Sequence, residues 1–285
     1  MQKGILIIAT GHHNYGRMAY NLALTIKAKS NDLPIALIFQ ESAVKHLTPA
    51  HLEIFNTLIK TDKKWNELKL TAYDYTPFEQ TLLVDADLLW MKDNVELVFD
   101  QLKKRSFACV NEGYYDIDAD NDLSNPNYAF GGPTAQELAK AYKLKTGKLW
   151  KIRSEFILFK KDEKAGKIFA KAWEIYNDPK VNSETFAGVY PDEFAFDVAL
   201  NICKTDCHID RWQPTYWPNL YRFHIPELHK INKTYYAFSF GGNTATKAAK
   251  NIYDLIMQAA TRKLGLKYTF KLQSKKEFLT ERKVF

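Results

Sequence analysis

At 285 residues, with 46% hydrophobic and 14% aromatic content, the chain has material for a large buried core and falls outside the disordered class. No apolar run approaches the roughly 20 residues that a membrane-spanning helix requires, and three cysteines are too few for a disulfide framework. The net charge of +7 is localised: residues 244–285 carry ten Lys or Arg against three Asp or Glu, which leaves 30 of each sign in residues 1–243.

Residues 4–10 read as a fully buried strand, and its position leaves no room for a leader peptide, so a cytoplasmic setting is expected. A polar turn over 11–16 leads into a helix marked by Met18, Leu22, Leu24 and Ile26. Residues 34–39 form a second buried strand and 51–59 a second amphipathic helix. Residues 81–90 read as a third strand, in which apolar residues flank Asp85 and Asp87. Strand, helix, strand, helix, strand predicts an α/β fold with a mostly parallel sheet and right-handed crossovers. In such sheets ligands bind beyond the carboxyl ends of the strands, where both the Asp85 pair and the 11–16 turn fall. A strand's period of two places Asp85 and Asp87 on one side, where two hard oxygen donors reach one cation. Two uncompensated carboxylates at the edge of a core are costly, and a divalent metal offsets both.

Residues 93–102 continue as a helix and 107–110 as a strand. Residues 111–134, rich in Asn, Asp, Gly, Pro and Tyr, predict a long loop. The alternating Asp116, Asp118, Asp120 and Asp122 within it fail the calcium-loop pattern, because Asn121 stands at the turn glycine and Asn127 at the closing glutamate. A strand over 156–159 and a helix over 165–176 follow. Residues 192–202 form a further helix, opened by Pro191 and Asp192. Residues 235–240 are a strand ending in Gly241-Gly242, and 248–263 an amphipathic helix. Cys203, Cys207 and His208 have donor types for zinc but no fourth ligand, which favours a core role. Trp212, Trp217 and Tyr221 form an aromatic segment suited to a sugar platform or to core lining.

Together these residues resemble the GT-A fold glycosyltransferases, most closely the family 8 type that uses a nucleotide-diphosphate sugar and manganese. The likeness spans residues 4–242. Ala9-Thr10 followed by Asn14-Tyr15 resembles that family's first-strand loop, where small and polar groups meet the nucleoside and a tyrosine stacks on the base. Leu-Val-Asp85-Ala86-Asp87 resembles its metal motif, and Lys69, sixteen residues upstream, its basic residue against the diphosphate. Asp192-Glu193 resembles its Asp-Gln pair beside the sugar. Two stretches depart from the pattern. Arg153-Ser154-Glu155 stands where the family has Asn-x-Gly, and Ser239 where it has a third metal ligand, a histidine. His224, with the right spacing to Lys230, is the substitute candidate.

The resemblance implies one GT-A domain over 1–243, with a nucleotide-sugar half over about 1–105 and an acceptor half over 106–243, followed by a basic extension over 244–285. It implies metal-dependent transfer of a hexose or pentose from a nucleotide-diphosphate sugar, UDP-sugar favoured, with retention of configuration. Mn2+ or Mg2+ would be held by Asp85, Asp87 and His224, and the donor met by Ala9, Thr10, Asn14, Tyr15, Lys69 and Ala86. Asp192 and Glu155 are the catalytic candidates. Two other classes compete. A non-catalytic nucleotide-sugar binding protein of the same fold would share every donor feature. A phosphatase of the haloacid-dehalogenase type also starts from Asp-x-Asp, but at its first strand and with Thr or Val two residues on, where this chain has Leu89.

The tail is an amphipathic helix followed by Lys267, Lys271, Lys275, Lys276, Arg282 and Lys283, interleaved with Tyr268, Phe270 and Phe278. It suits an anionic surface: a membrane carrying a lipid-linked acceptor, at the inner face of which the protein would be peripheral, or nucleic acid carrying a modified base. The expected acceptor is accordingly a glycan, lipid-linked or polysaccharide, or a base in nucleic acid.

Overall fold

An unbroken run of Ile and Leu makes strand β1 (Lys3–Ala9), buried at every position after Lys3. The structure, a computed structural model, describes residues 2–30, 32–118, 134–145, 147–180, 191–207, 212, 214–216, 228–240 and 247–271. Helix α1 (His13–Lys27) starts earlier than the expected polar turn allowed, because His12 caps it: the ring Nδ1 accepts from the Asn14 amide at 3.3 Å. Strand β2 (Ile35–Phe39) runs parallel to β1, Ile5 opposite Ile35 and Ala9 opposite Phe39.

The single helix expected over 51–59 is replaced by two short helices, α2 (Glu41–Val44) and α3 (Pro49–Leu52), and a strand, β3 (Thr57–Lys60), parallel to β2. Thr48 caps α3 and Pro49 sits in its first turn, which moves the helix upstream. The alternation of half-buried and exposed residues in β3 is that of an edge strand. An unforeseen helix, α4 (Trp65–Tyr75), precedes strand β4 (Gln80–Asp85).

The strand expected over 81–90 is two strands. Ala86 and Asp87 form a turn, and β5 (Leu88–Trp90) belongs to a different sheet. A 3-10 helix (Val95–Lys103) stands where an α-helix was expected. Strand β6 (Phe107–Asp116) runs six residues past Val110, into the segment expected to be loop. Then come α5 (Ala135–Tyr142), β7 (Lys148–Lys160), α6 (Glu163–Asn177), α7 (Asp192–Ile202), β8 (Thr215–Tyr216), α8 (Leu228–Thr234), β9 (Ala237–Ser239) and α9 (Lys247–Lys263). The larger sheet has the order β3-β2-β1-β4-β7-β6 and the smaller β5-β9-β8.

The chain divides into two compact units. One comprises residues 1–2, 63–83 and 101–212. Its antiparallel pair β6–β7 carries α6 and α7, and Phe107, Phe159, Phe169 and Phe196 form its aromatic core, with Phe159 and Phe169 at 4.8 Å and Phe169 perpendicular to Phe196 at 5.5 Å. The other comprises residues 3–62, 84–100 and 213–285. In it α1 lies so close to α2 that a Cβ on Gly16 would meet the Ala43 carbonyl oxygen at 2.1 Å. On another side α1 carries α9: Asn21 donates to the fully buried Tyr253 hydroxyl at 2.9 Å and to the Phe270 carbonyl at 2.7 Å. The basic tail thus begins inside this unit's core.

Candidate functional site

The expected site residues among the described ones fall into two groups, one in each unit. In the unit containing β1, the loop after that strand is tightly held. Gly11 turns at a φ of 72°, a region open to glycine, and its amide donates to the Gln40 side chain at 2.7 Å, while the Gln40 amide donates to the Ala9 carbonyl at 3.1 Å. Ala9, Thr10 and Asn14 are buried and Tyr15 is half-buried at the start of α1. Around them stand three imidazoles: His13 lies 4.0 Å from His12 and 4.4 Å, edge-on, from His46, ring centre to ring centre. Neither His46 nor Gln40 lies in a motif, so the sequence alone does not point to them.

Asp85 is the last residue of β4, and Asp87 lies two residues on, in the turn; both are half-buried. The pair therefore cannot owe its arrangement to strand alternation, as the sequence suggested; the turn positions it. On the far side of the turn the Phe240 amide donates to the Asp87 carbonyl at 3.1 Å, and Leu88 sits opposite the buried Ser239. Asp87 also reaches Tyr253 electrostatically: burial pushes that phenol up most, and the Asp254 and Asp87 charges add to it. Two hard, partly open carboxylates are the donor set that manganese or magnesium takes, so these residues fit such an ion. Among the described residues no three His, Cys, Asp or Glu side chains group as a complete metal site. The third expected donor, His224, lies outside the described residues, as do His208, Trp217, Tyr221, Gly241-Gly242 and residues 272–285.

In the other unit Lys69, on α4, and Asp192, on α7, are brought together around Ser154, on β7. Lys69 Nζ donates to Ser154 Oγ at 3.0 Å and lies 3.8 Å from Asp192 Oδ2. Ser154 Oγ in turn donates to Glu193 Oε1 at 2.9 Å. Ser154 and Asp192 are 1% and 2% exposed, while Lys69 and Glu193 are half-buried, so the ammonium faces the two carboxylates at the edge of the core. Desolvation, and then the Asp192 charge, push the Glu193 carboxyl up to about 7, against the pull of Lys69 and the Ser154 hydroxyl. Glu155 does not join this group; it is buried and lies 3.7 Å from Arg153 Nη1. The cause is a bulge. Cys109 pairs with Ile157 and Val110 with Arg153, so the β6–β7 ladder passes over Ser154, Glu155 and Phe156. Bulges of this kind re-aim side chains beside sites. Two clues to the cluster were in the sequence: a serine within an apolar strand and two adjacent carboxylates at a helix start.

The cysteines separate. Cys203 is half-buried with Sγ 3.8 Å from the Lys167 carbonyl, whereas Cys207 is buried against Cys109 and takes a contact from Asn111 Nδ2 at 3.5 Å. Trp212 packs edge-on to Phe156 at 5.9 Å, as core lining does. Among the described residues no helix is long and apolar enough to cross a membrane.

No protein-family model and no curated protein sequence matches the chain. Solved structures do. The chain is similar to the apo structure of the bifunctional glycosyltransferase WbbM, with a TM-score of 0.54 at 12% identity over 91% of this chain and 50% of that one. It is similar to the galactosyltransferase LgtC in complex with donor and acceptor sugar analogues, with a TM-score of 0.54 at 11% identity over 93% of this chain and 97% of that one. It is also similar to the apo-form glycosyltransferase GlyE of Streptococcus pneumoniae, with a TM-score of 0.55 at 11% identity over 100% of this chain and 64% of that one. The chain thus spans half the length of WbbM and nearly all of LgtC. At such identities the likeness carries the fold: α/β with a mainly parallel central sheet flanked by helices, the GT-A architecture of these glycosyltransferases.

Proposed function

We propose that the chain is a metal-dependent glycosyltransferase of the family 8 kind, moving a sugar from a nucleotide-diphosphate donor, UDP-sugar by preference, to a hydroxyl of a glycan acceptor with retention of configuration. The observation that carries the proposal is the half-buried Asp85 and Asp87 pair at the carboxyl end of β4, in a sheet whose β1 ends in the tightly held Thr10 to Tyr15 loop. The complex of LgtC with donor and acceptor sugar analogues supports a two-substrate reaction for a chain that covers nearly all of its length.

The roles follow from charge. Asp85, Asp87 and His224 would hold manganese or magnesium, which when bound supplies positive charge against a leaving diphosphate. In the other unit Lys69, the residue that the resemblance sets against a diphosphate, donates from Nζ to the Ser154 hydroxyl at 3.0 Å and lies 3.8 Å from Asp192. Asp192 and Glu193 present acceptor oxygens suited to sugar hydroxyls; Glu155, engaged with Arg153, is the second choice for that task. Ala9, Thr10, Asn14 and Tyr15 meet the nucleoside, and Ala86, buried between the two carboxylates, leaves room for the phosphates.

The test is a thermal-shift screen of UDP-, GDP-, CMP- and TDP-sugars with and without manganese, on the wild type, Asp85→Asn and Asp87→Asn. One nucleotide sugar should stabilise the wild type only with metal, by about 2.7 kcal/mol at a hundredfold excess over Kd. Both variants should lose that gain and keep their metal-free melting point, since half-buried carboxylates tolerate the amide. Stabilisation unchanged in both variants sinks the metal assignment; tight binding with neither transfer nor hydrolysis of the sugar makes the chain a binding module.

A further inference from the structure

A cavity of about 720 Å³ lies in the unit that contains Lys69 and has no part in the proposed transfer chemistry. Lys104 and Arg105 enter it from beyond the 3-10 helix, Lys160 from the end of β7, Lys164 and Lys167 from the start of α6, and Lys204 from just past α7; among its lining residues the sole carboxylate is Asp206. Its wall includes the buried Phe107 and Ile168. Lys167 is paired with Glu163 at 2.6 Å. Lys104, Lys160, Lys164 and Lys204 have no carboxylate within ion-pair distance among the described residues.

Local rules are broken to assemble this charge. Lys164 is the second residue of α6, at the positive end of the helix dipole, where a cation is disfavoured. Lys204 ends α7 in the left-handed region at a φ of 50°, its amide donating to Asn201 and that of Thr205 to Leu200. That is the position where helices most commonly place glycine. Cations at the ends of the 3-10 helix and of α7 favour those helices' dipoles; Lys160 and Lys164 have no such reason to be there. Positions that go against local preference while agreeing with one another are the ones to examine for function. The cavity is also separate from the Lys69 group. Asp192 opens α7 and Lys204 lies beyond its other end, about 16 Å away along an 11-residue helix.

We propose that this cavity binds a small polyphosphorylated anion, one with two or more phosphate groups, at a site distinct from the Lys69, Ser154 and Asp192 group. A concave space of this volume falls in the range of small-ligand sites, about 300–1,000 Å³. Several compact lysine charges drawn from four elements recognise phosphates as point charges. The anion could be a free polyphosphate or a phosphorylated effector; the phosphate chemistry is shared.

The experiment is calorimetric titration of the full chain with inorganic tripolyphosphate in the presence of EDTA, at 50 and 200 mM NaCl, with sulfate as control. Saturable one-to-one binding is expected, weakening about tenfold at the higher salt, as release of about two counterions requires. Lys104→Glu/Lys164→Glu/Lys204→Glu should weaken it at least tenfold, and Lys69→Ala should leave it unchanged. Lys204→Gly separates binding from folding: it should weaken tripolyphosphate several-fold while raising the melting temperature, since glycine suits the left-handed backbone. Loss of binding in Lys69→Ala assigns the anion to the other site and overturns the proposal. So does sulfate binding as tightly as tripolyphosphate, unaltered affinity in the triple variant, or tighter binding of a 12-nucleotide single strand through the same lysines. None of these outcomes bears on the nucleotide-sugar screen.

Discussion

Glu193 is the residue whose protonation the fold changes most usefully. Its carboxyl is raised from the ordinary 4.5 to about 7 by desolvation and by Asp192. A raised acid favours the folded state while it is neutral: that contribution is complete below about pH 4.5 and is lost as pH rises through about 7. Urea midpoints measured from pH 5 to 8 should therefore fall with rising pH. Glu193→Gln should flatten most of that slope, leaving a remainder from Asp197, which burial also raises and which accepts from the Ile152 amide at 3.0 Å. A slope unchanged in Glu193→Gln would show that Glu193 is ionised in the folded protein throughout. Neighbouring carboxylates at a helix start can be seen in the sequence; that they face one half-buried ammonium cannot, because Lys69 comes from a helix 123 residues upstream of Asp192.

Secondary-structure elements succeeded or failed in the sequence according to how they are covered. Strand β1 and helix α7 were legible to within a residue, since an unbroken apolar run and a Pro-Asp helix start depend on few distant partners. The sequence of strand β3 suggests helix because an edge strand with one covered face has a weak pattern. The run from Thr81 to Trp90 suggests one strand because nothing local shows that Leu88 to Trp90 pair with β9 in another sheet. Gly16 offers the test at this scale. It reads as a turn residue, yet it lies within α1 against the backbone of α2, where a Cβ would meet the Ala43 oxygen at 2.1 Å. A backbone oxygen cannot swing aside as a side chain can, so Gly16→Ala should cost about 2 kcal/mol or more, read as a lowered urea midpoint. Glycine to alanine inside an open helix would instead gain about 1 kcal/mol.

The distribution of charge suggests a detachable basic tail, but the packing makes its first part structural. Ile252, Tyr253, Met257 and Ala260 of α9 are buried, and Asn21 of α1 holds Tyr253 and the Phe270 carbonyl. Deleting residues 247–285 exposes the face they cover. At about 2 kcal/mol for each of the three large side chains the loss is about 6 kcal/mol, comparable to a whole domain's stability. The shortened chain should therefore lose its cooperative thermal transition by circular dichroism; a truncated protein that melts like the full chain would return α9 to the role of a free basic helix. By itself the sequence determined the α/β class, the Asp85 and Asp87 motif and the segregation of positive charge, because these are written in local runs, short spacings and counts. Only the tertiary structure decided that a turn rather than a strand presents Asp87, that a bulge turns Ser154 to Lys69 while Glu155 meets Arg153, and that lysines from four separate elements line one cavity. Each of those depends on contacts between residues far apart in the chain, and neither side-chain periodicity nor composition encodes such distances.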